Sequence, residues 1–310
     1  MKIINDIEEF KLENRKIHLA LGNFDGIHLG HNKVIENAID NKEMDSEVWI
    51  LTFNPHPSKL LKTKEKIKLI NTKQQQINLF SSKNINGLIL QPFNETIMNY
   101  SPVEFFNKLK CKIPLLSGIY VGDNWVFGKN RSGNIHILKT LCDESKINFI
   151  AQKNICIEGD RISSSRIRKE INKGEMQKVY ELLGRYYSIT GKVIHGEKIG
   201  RSLGFPTANI NSDNECIPTD GIYAAKCIFK DNEFNTALYI GTRKTLHDNN
   251  KRVIEAHLIN KKDINLYNEE VEIKIIKFIR KDEKYETRKK LQEQISNDVS
   301  NINKILNNLK

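Results

Sequence analysis

Short apolar runs recur along the first part of the chain, and the stretches between them space their apolar residues like one face of a helix. The runs cover residues 17–21, 48–53, 87–90 and 118–121. Strands that alternate with helices usually form a parallel sheet, so this pattern predicts an α/β, doubly wound, Rossmann-like domain. Such sheets bind ligands beyond the carboxyl ends of their strands, where candidate site residues are therefore expected.

After residue 184 the pattern changes to short runs rich in β-branched residues and interrupted by turns. These runs cover residues 187–194, 222–229, 237–240, 253–259 and 271–278. They predict a small antiparallel β-barrel. Apolar residues from Tyr285 to Leu309, mostly three or four apart, predict one amphipathic C-terminal helix. The chain is thus expected to form two domains, 1–184 and 185–310.

Serines and arginines open the next predicted helix, in the segment 163–168 that reads Ser-Ser-Ser-Arg-Ile-Arg. Gly174 separates this helix from a second one that ends at Gly184. A cation in the first turn opposes the helix dipole unless an anion lies in front of it. Arg166 and Arg168 are therefore candidate phosphate ligands, with ordinary surface charge as the alternative.

Two histidines follow the first predicted strand directly. Gly22 and Gly26 permit the tight turn that a strand needs to continue into a helix, and His28 and His31 then share one face of the first helical turn. Two imidazoles beside the free N–H groups of a helix start suit the charge on a phosphate under attack. This arrangement predicts nucleotidyl transfer from ATP.

A zinc site is the competing interpretation of these histidines, with His56 of Asn-Pro-His-Pro as a third ligand. No acidic or cysteine ligand stands at metal spacing nearby, so we favour the phosphate interpretation.

A glycine-rich basic segment, 196–209, lies between the first two barrel runs and reads Gly-Glu-Lys-Ile-Gly-Arg-Ser-Leu-Gly-Phe-Pro-Thr-Ala-Asn. It has one spacer too few for a P-loop and an arginine in place of the lysine. Thr207 and Asn209 place two oxygens on one side of an extended segment, which suits a magnesium ion that bridges phosphates, although a simple turn would also contain such residues.

Glu255 interrupts an apolar strand and shares a strand face with His257. A carboxylate at this place is either a solvated residue on the outside of the barrel or a general base for a substrate hydroxyl.

The net charge of +11 raises the possibility of RNA binding, but it is divided almost evenly between the two predicted domains. Clustered aromatic residues among the basic ones are lacking, so no nucleic-acid partner is expected. The five cysteines make an odd number without a two-residue spacing, which is typical of reduced thiols in a cytoplasmic protein. No apolar run reaches the length of a membrane span, and the oligomeric state is left open.

Six motifs in order give the chain a strong resemblance, over nearly its whole length, to the bacterial bifunctional riboflavin kinase/FAD synthetase family. They are Leu-Gly-Asn-Phe-Asp-Gly-Ile-His-Leu-Gly-His at 21–31, Thr-Phe-Asn-Pro-His-Pro at 52–57, Val-Gly-Asp at 121–123 leading to Phe-Gly at 127–128, the serine and arginine segment at 163–168, Gly-Arg-Ser-Leu-Gly-Phe-Pro-Thr-Ala-Asn at 200–209, and Pro-Thr-Asp-Gly-Ile-Tyr-Ala at 218–224.

The resemblance implies that the C-terminal domain phosphorylates riboflavin to FMN with ATP and Mg²⁺. It also implies that the N-terminal domain joins AMP from a second ATP to FMN, which gives FAD and pyrophosphate. Glu255 falls where the family carries its catalytic glutamate, and Thr207 and Asn209 would hold the magnesium. His28 and His31 would stabilise the transferring AMP. The implied nucleotide-binding residues are Gly22, Phe24, Gly26, Asp123, Ser164, Arg168, Gly196, Gly200 and Arg201.

Three positions depart from the family pattern. Tyr239 replaces the first residue of Asn-Ile-Gly-Thr-Arg-Pro-Thr, Lys244 replaces its proline, and Asn268 replaces the glycine of Leu-Tyr-Gly. All three flank the implied kinase site, so they bear on flavin affinity more than on reaction type. The remaining alternatives are a chain with one retained activity, an adenylyltransferase of the pantetheine-phosphate type, which the barrel motif disfavours, and an aminoacyl-tRNA synthetase, which would need a Lys-Met-Ser-Lys-Ser segment.

Overall fold

The computed structural model describes residues 1–11, 14–61, 66–196, 199–243, 251–261 and 264–309. They form two compact units, Met1–Lys68 with Lys73–Ser164, and Leu69–Thr72 with Ser165–Lys310. The boundary between these two units, after Ser164, thus lies ahead of two helices that the sequence pattern assigns to the first domain. The second of these helices buries Met176, Val179, Leu182 and Leu183 and contacts strands of the second unit. The functional boundary between 184 and 185 stays a prediction.

The first unit is built on a parallel sheet with strand order β1-β4-β3-β2-β5-β6. Every neighbouring pair in this sheet is parallel, which confirms the doubly wound α/β fold. Its strands are β1 (Lys2–Ile4), β2 (Ile17–Leu21), β3 (Glu47–Phe53), β4 (Gly87–Gln91), β5 (Leu116–Gly122) and β6 (Asn148–Gln152). Its helices are α1 (Leu29–Asp40), α2 (Lys73–Ser81), α3 (Glu95–Asn99), α4 (Pro102–Lys112) and α5 (Ile135–Glu144).

The central strands are buried on both faces, which explains their continuous apolar runs. Successive residues of β2 enter different cores: Leu19 and Leu21 pack in the cluster with Phe106, whereas Ala20 packs on the other face with Val34 of α1. A short antiparallel ribbon of β7 (Cys156–Ile157) and β8 (Asp160–Arg161) follows the sheet.

The second unit contains a closed antiparallel barrel with strand order β10-β13-β12-β11-β14-β9, as the sequence pattern predicts. The helices that precede it are α6 (Ser164–Lys173) and α7 (Met176–Leu183). The other elements are β9 (Tyr187–Ile194), α8 (Ile199–Ser202), β10 (Ala208–Ser212), β11 (Gly221–Phe229), β12 (Asn232–Arg243), β13 (Lys251–Leu258), β14 (Glu270–Arg280) and α9 (Arg288–Asn307).

The C-terminal helix α9 packs its buried Ile302 and Leu306 against Ala224 and Ile276 of the barrel wall. It begins later than predicted, because Thr287 caps its first turn by accepting from the Lys290 N–H and leaves Tyr285 in the preceding loop. Among the helices within the described ranges, none has both the length and the apolar character to cross a membrane.

Candidate active sites

The turn between β2 and α1 is held in an unusual backbone conformation. Phe24, Gly26 and Ile27 all have positive φ angles, of 49°, 85° and 40°. Positive φ is unfavourable for a β-branched residue such as Ile27, so the surrounding packing must hold the turn in place. The turn delivers His28 to the N-cap of α1, with its side chain 6% exposed.

His28 and His31 are brought together, as their spacing predicts. His28 Nδ1 accepts a hydrogen bond from the backbone N–H of His31 at 3.2 Å, and the two rings stack with centroids 3.6 Å apart. Because Nδ1 is the acceptor, the neutral His28 ring carries its proton on Nε2. The pair therefore places two imidazole rings, with the Nε2–H of His28, at a helix start, which suits an anionic ligand.

The Phe24 ring packs edge-on against the His31 ring. It is 1% exposed, and its ring centroid lies 5.3 Å from that of His31 and 5.6 Å from that of Phe80. A Cβ at Gly22 would lie 2.8 Å from this ring, so only glycine fits there. The Phe24 ring thus has a packing role, and its predicted contact with a nucleotide stays a prediction.

Ser164 and Asp123 belong to the same unit as the histidine turn. Ser164 Oγ donates to the backbone oxygen of Asp25 at 2.8 Å, which ties the end of this unit to the turn. Asp123 follows β5, the neighbour of β2, and its Oδ2 accepts from the Asn154 N–H at 3.1 Å. Arg168 lies in the second unit, where its Nη2 donates to Ser165 Oγ at 3.2 Å.

His56 has a local structural role. Its Nδ1 lies 2.7 Å from Ser58 Oγ and caps the short 3-10 helix Pro57–Lys59. Within the described ranges, no three side chains of His, Cys, Asp or Glu gather as a metal-ligand group. The zinc interpretation therefore finds no support in this part of the chain.

The second candidate site lies on three adjacent barrel strands. Asn209 of β10 pairs with Glu255 of β13, and Glu255 pairs with Tyr239 of β12. Directly opposed residues in antiparallel strands point to the same face, so these three side chains form a row. Thr207, just before β10, extends the row because its Oγ1 donates to Glu255 Oε2 at 3.1 Å.

Two glycines of the glycine-rich segment lie against this row. A Cβ at Gly196 would overlap the side-chain amide of Asn209, and a Cβ at Gly200 would overlap the Phe205 carbonyl oxygen and lie 3.2 Å from Thr207 Oγ1. Arg201 and Thr207 both line a small cavity of 100 Å³. The structure therefore brings together all the predicted kinase-site residues around Thr207 and Asn209.

A cavity of 690 Å³ opens beside Glu255 and Thr207. Its barrel wall includes Tyr239, and α9 contributes the apolar side chains of Leu291, Ile295 and Val299 next to the charged Arg288 and Asp298. The contribution of α9 was not predicted, because its apolar stripe reads equally well as packing against the barrel. Pockets for small molecules commonly combine such apolar walls with a few polar groups.

An ion pair braces the cavity wall. The Arg280 guanidinium donates from Nε and Nη2 to the Asp298 carboxylate at distances between 2.7 and 3.1 Å, and both side chains line the cavity. Gln294 Nε2 adds a hydrogen bond to Asp298 at 2.9 Å. Sequence reasoning missed this pair, since a single aspartate on an amphipathic helix carries no distinguishing signal.

Of the three departures from the family pattern, Tyr239 lines the cavity. Burial raises the pKa of the Tyr239 phenol, and the hydrogen bond of the phenol to Asp282 raises this pKa further. The phenol therefore stays protonated. Asn268 has a φ of 65°, a left-handed conformation that asparagine tolerates nearly as well as the usual glycine. Lys244 lies outside the described residues.

Comparison with known proteins identifies two domains in the chain. The family profiles of FAD synthetase and riboflavin kinase match residues 10–166 and 183–306. The chain is 34% identical over 312 residues to the bifunctional riboflavin kinase/FMN adenylyltransferase of Buchnera aphidicola subsp. Schizaphis graminum, with 99% of each chain covered. It is 33% identical over 308 residues to the protein of that name from Bacillus subtilis, with 97% of this chain and 96% of the relative covered.

A solved structure described as a macrolide-efflux protein from Streptococcus pneumoniae covers 99% of both chains with a TM-score of 0.88. At 23% identity, this likeness shows the fold alone. The two family matches, in this order on one chain, go against the pantetheine-phosphate and aminoacyl-tRNA synthetase alternatives. The chain belongs to the family of bifunctional riboflavin kinase/FMN adenylyltransferases, with its FAD synthetase domain before its riboflavin kinase domain.

Proposed function

We propose that riboflavin is phosphorylated in the cavity beside Glu255 and that FMN receives AMP at the paired histidines of the first unit. The observation that carries the kinase assignment is the hydrogen bond between Thr207 and Glu255, which both line a 690 Å³ cavity. The observation that carries the second assignment is the stacked pair of His28 and His31 at the start of α1.

Riboflavin attacks through an alcohol, which must lose its proton as the new bond to the γ-phosphorus of ATP forms and the bond from that phosphorus to ADP breaks. Glu255 is the proposed general base because its carboxylate faces the cavity. The hydrogen bond from Thr207 Oγ1 to Glu255 Oε2 orients the carboxylate. The apolar side chains of α9 suit the flat ring system of a flavin and exclude water from it.

Magnesium fits the chemistry of the donors in this site. Thr207 and Asn209 offer neutral oxygens beside the Glu255 carboxylate, and Gly196 and Gly200 let the backbone approach the Asn209 amide and the Phe205 carbonyl oxygen closely. These residues would hold a magnesium ion with the phosphates of ATP. When bound, the ion supplies positive charge to the transferring phosphoryl group. Gly196, Gly200 and Arg201 are the proposed phosphate-binding residues.

The adenylyl transfer needs less proton chemistry, because the FMN phosphate is already ionised at neutral pH and attacks the α-phosphorus of ATP as pyrophosphate leaves. Positioning and charge stabilisation then suffice. His28 offers its Nε2–H to the transferring phosphoryl group while its Nδ1 accepts the His31 backbone N–H. His31 and Ser164, with Gly22 and Gly26 in the turn, complete the proposed phosphate-binding group, and Asp123 is a proposed nucleotide contact. Arg168, which lies in the second unit, stays a proposed phosphate ligand on its sequence motif alone.

The proposed partners are riboflavin, FMN and ATP, with no nucleic acid and no membrane. The structure pairs none of the five cysteines in a disulfide. Reduced thiols and the requirement for ATP support a cytoplasmic location.

The test is to incubate the purified full chain with riboflavin, ATP and magnesium and to resolve FMN and FAD by chromatography. We expect Glu255→Gln to abolish FMN formation while supplied FMN is still converted to FAD, and His28→Ala to stop the sequence at FMN. Loss of both activities in either variant, with the far-UV circular dichroism of the wild type, would contradict this division of labour.

A further inference from the structure

Tyr239 lines the kinase cavity and also makes a contact beyond its own strand. It is the cross-strand neighbour of Glu255, and its hydroxyl donates to Asp282 Oδ2 at 2.9 Å. A Cβ at Gly241 would overlap the Tyr239 hydroxyl, so glycine two residues further along β12 gives the phenol its space. The phenol therefore reaches along its own strand to a group outside the barrel.

Asp282 belongs to the connecting segment, residues 281–287, which joins β14 to α9 and forms one wall of the cavity. This segment has no regular structure, and nearly all of its side chains are exposed. The hydroxyl of Tyr285 bonds within the segment, to Glu283 at 3.4 Å, while its ring lies 5.8 Å from the guanidinium carbon of Arg280 at the end of β14. At the far end, Arg288 of α9 donates to Ser202 Oγ and to the Ser202 backbone oxygen.

The hydrogen bond from Tyr239 to Asp282 therefore joins the barrel wall to the start of this connecting segment, two residues after the end of β14. An exposed segment that is ordered only when a ligand binds weakens binding by its lost conformational freedom. A segment that is already held in place avoids this loss. The effect falls on affinity for the molecule in the cavity and not on the chemical step, because neither group is the base.

We propose that Tyr239 is a positioning residue of the riboflavin kinase site, which holds the connecting segment through Asp282 and thereby sets the affinity for riboflavin. The inference rests on the proposed assignment of this cavity to riboflavin. It gives a role to the tyrosine at the position where the family pattern has asparagine. The raised pKa of the phenol keeps its proton available for this hydrogen bond throughout the neutral range.

The experiment compares Tyr239→Phe, Asp282→Ala and the double variant in the full chain. Riboflavin affinity is measured without ATP, by the change in flavin fluorescence on titration, and KM and kcat are measured from FMN formation. We expect each single variant to raise Kd and KM by about 3–10-fold, the worth of one hydrogen bond, with kcat unchanged. The double variant is expected to resemble the single ones, because they remove the same bond.

Tyr180→Phe is the matched control, since Tyr180 is an exposed tyrosine of the same unit that does not line the cavity. It is expected to leave Kd and kcat unchanged. An unchanged Kd in Tyr239→Phe, additive effects in the double variant, or a fall in kcat at constant KM would each overturn the proposal. Glu255→Gln distinguishes a failure of the proposed function from a failure of the Tyr239 proposal. If this variant retains kinase activity, the assignment of the cavity to riboflavin phosphorylation fails. If only the Kd values disagree, the Tyr239 proposal alone fails.

Discussion

Replacing Asp298 by alanine is expected to destabilise the second unit through the arginine that it leaves behind. The side chains of Arg280 and Asp298 are only 19% and 9% exposed. Asp298→Ala removes the hydrogen bonds from Nε and Nη2 and leaves a partly buried guanidinium without its counter-charge. Breaking a buried pair from one side costs about 3–5 kcal/mol, and the residual exposure of Arg280 places the expected loss at about 2–4 kcal/mol.

The loss can be measured by thermal unfolding followed by far-UV circular dichroism. For a unit of this size, we expect Tm to fall by about 3 °C per kcal/mol, or about 6–12 °C in total. The two tryptophans, Trp49 and Trp125, both lie in the first unit, so their fluorescence reports on that unit separately. Asp143→Ala is the matched control, because the exposed pair of Lys139 and Asp143 is worth less than about 0.5 kcal/mol.

The double variant Arg280→Met with Asp298→Leu distinguishes charge from packing. It removes both charges and fills the site with apolar side chains. We therefore expect it to recover most of the stability that Asp298→Ala loses, because no uncompensated charge remains. A double variant as unstable as Asp298→Ala would refute the electrostatic reasoning and show that side-chain packing causes the loss of stability.

Tyr120→Phe is expected to lower the stability of the first unit by about 1–3 kcal/mol, seen in tryptophan fluorescence during urea unfolding, because it leaves buried His18 Nδ1 without the hydroxyl 2.7 Å away. An unchanged midpoint would show that water replaces the hydroxyl. Hydrogen bonds from Lys16 and His18 lower the pKa of Glu43 to about 2, so stability should fall as pH drops from about 4.5 towards 2, and less steeply in Glu43→Gln. Equal slopes for the two proteins would contradict this linkage. Gly200→Ala should lower FMN formation at least about 10-fold, since its Cβ would displace the Phe205 carbonyl oxygen; FAD formation from supplied FMN is the internal control.

The sequence predicts the central strands of both units because they are apolar along most of their length, and it predicts β9 to the residue. It misses β1 and β6, which are the edge strands of the sheet and have few fully buried residues. It also misses β10, whose sequence Ala-Asn-Ile-Asn-Ser is mostly polar. Edge and site strands lack the continuous apolar run on which such predictions depend.

The sequence predicts which residues form the candidate sites, and it predicts contacts between those that are close together in the chain. His28 and His31 are three residues apart, so helix geometry alone brings them together. The contact of Thr207 with Glu255 depends instead on barrel closure between β10 and β13, whose register no local pattern encodes. The bond from Tyr239 to Asp282 likewise joins residues that are far apart in the chain and adjacent only in the folded barrel.

The difference between an open sheet and a closed barrel also bears on self-association. The barrel pairs each of its strands on both sides, whereas β1 and β6 of the first unit's sheet have a neighbouring strand on one side only. Unpaired strand edges are where chains add to one another and aggregate. Both edge strands are short, and β1 begins with Lys2, features that discourage such addition. When this enzyme is concentrated or refolded, aggregation by strand addition is therefore expected to begin in the adenylyltransferase unit and to spare the kinase barrel.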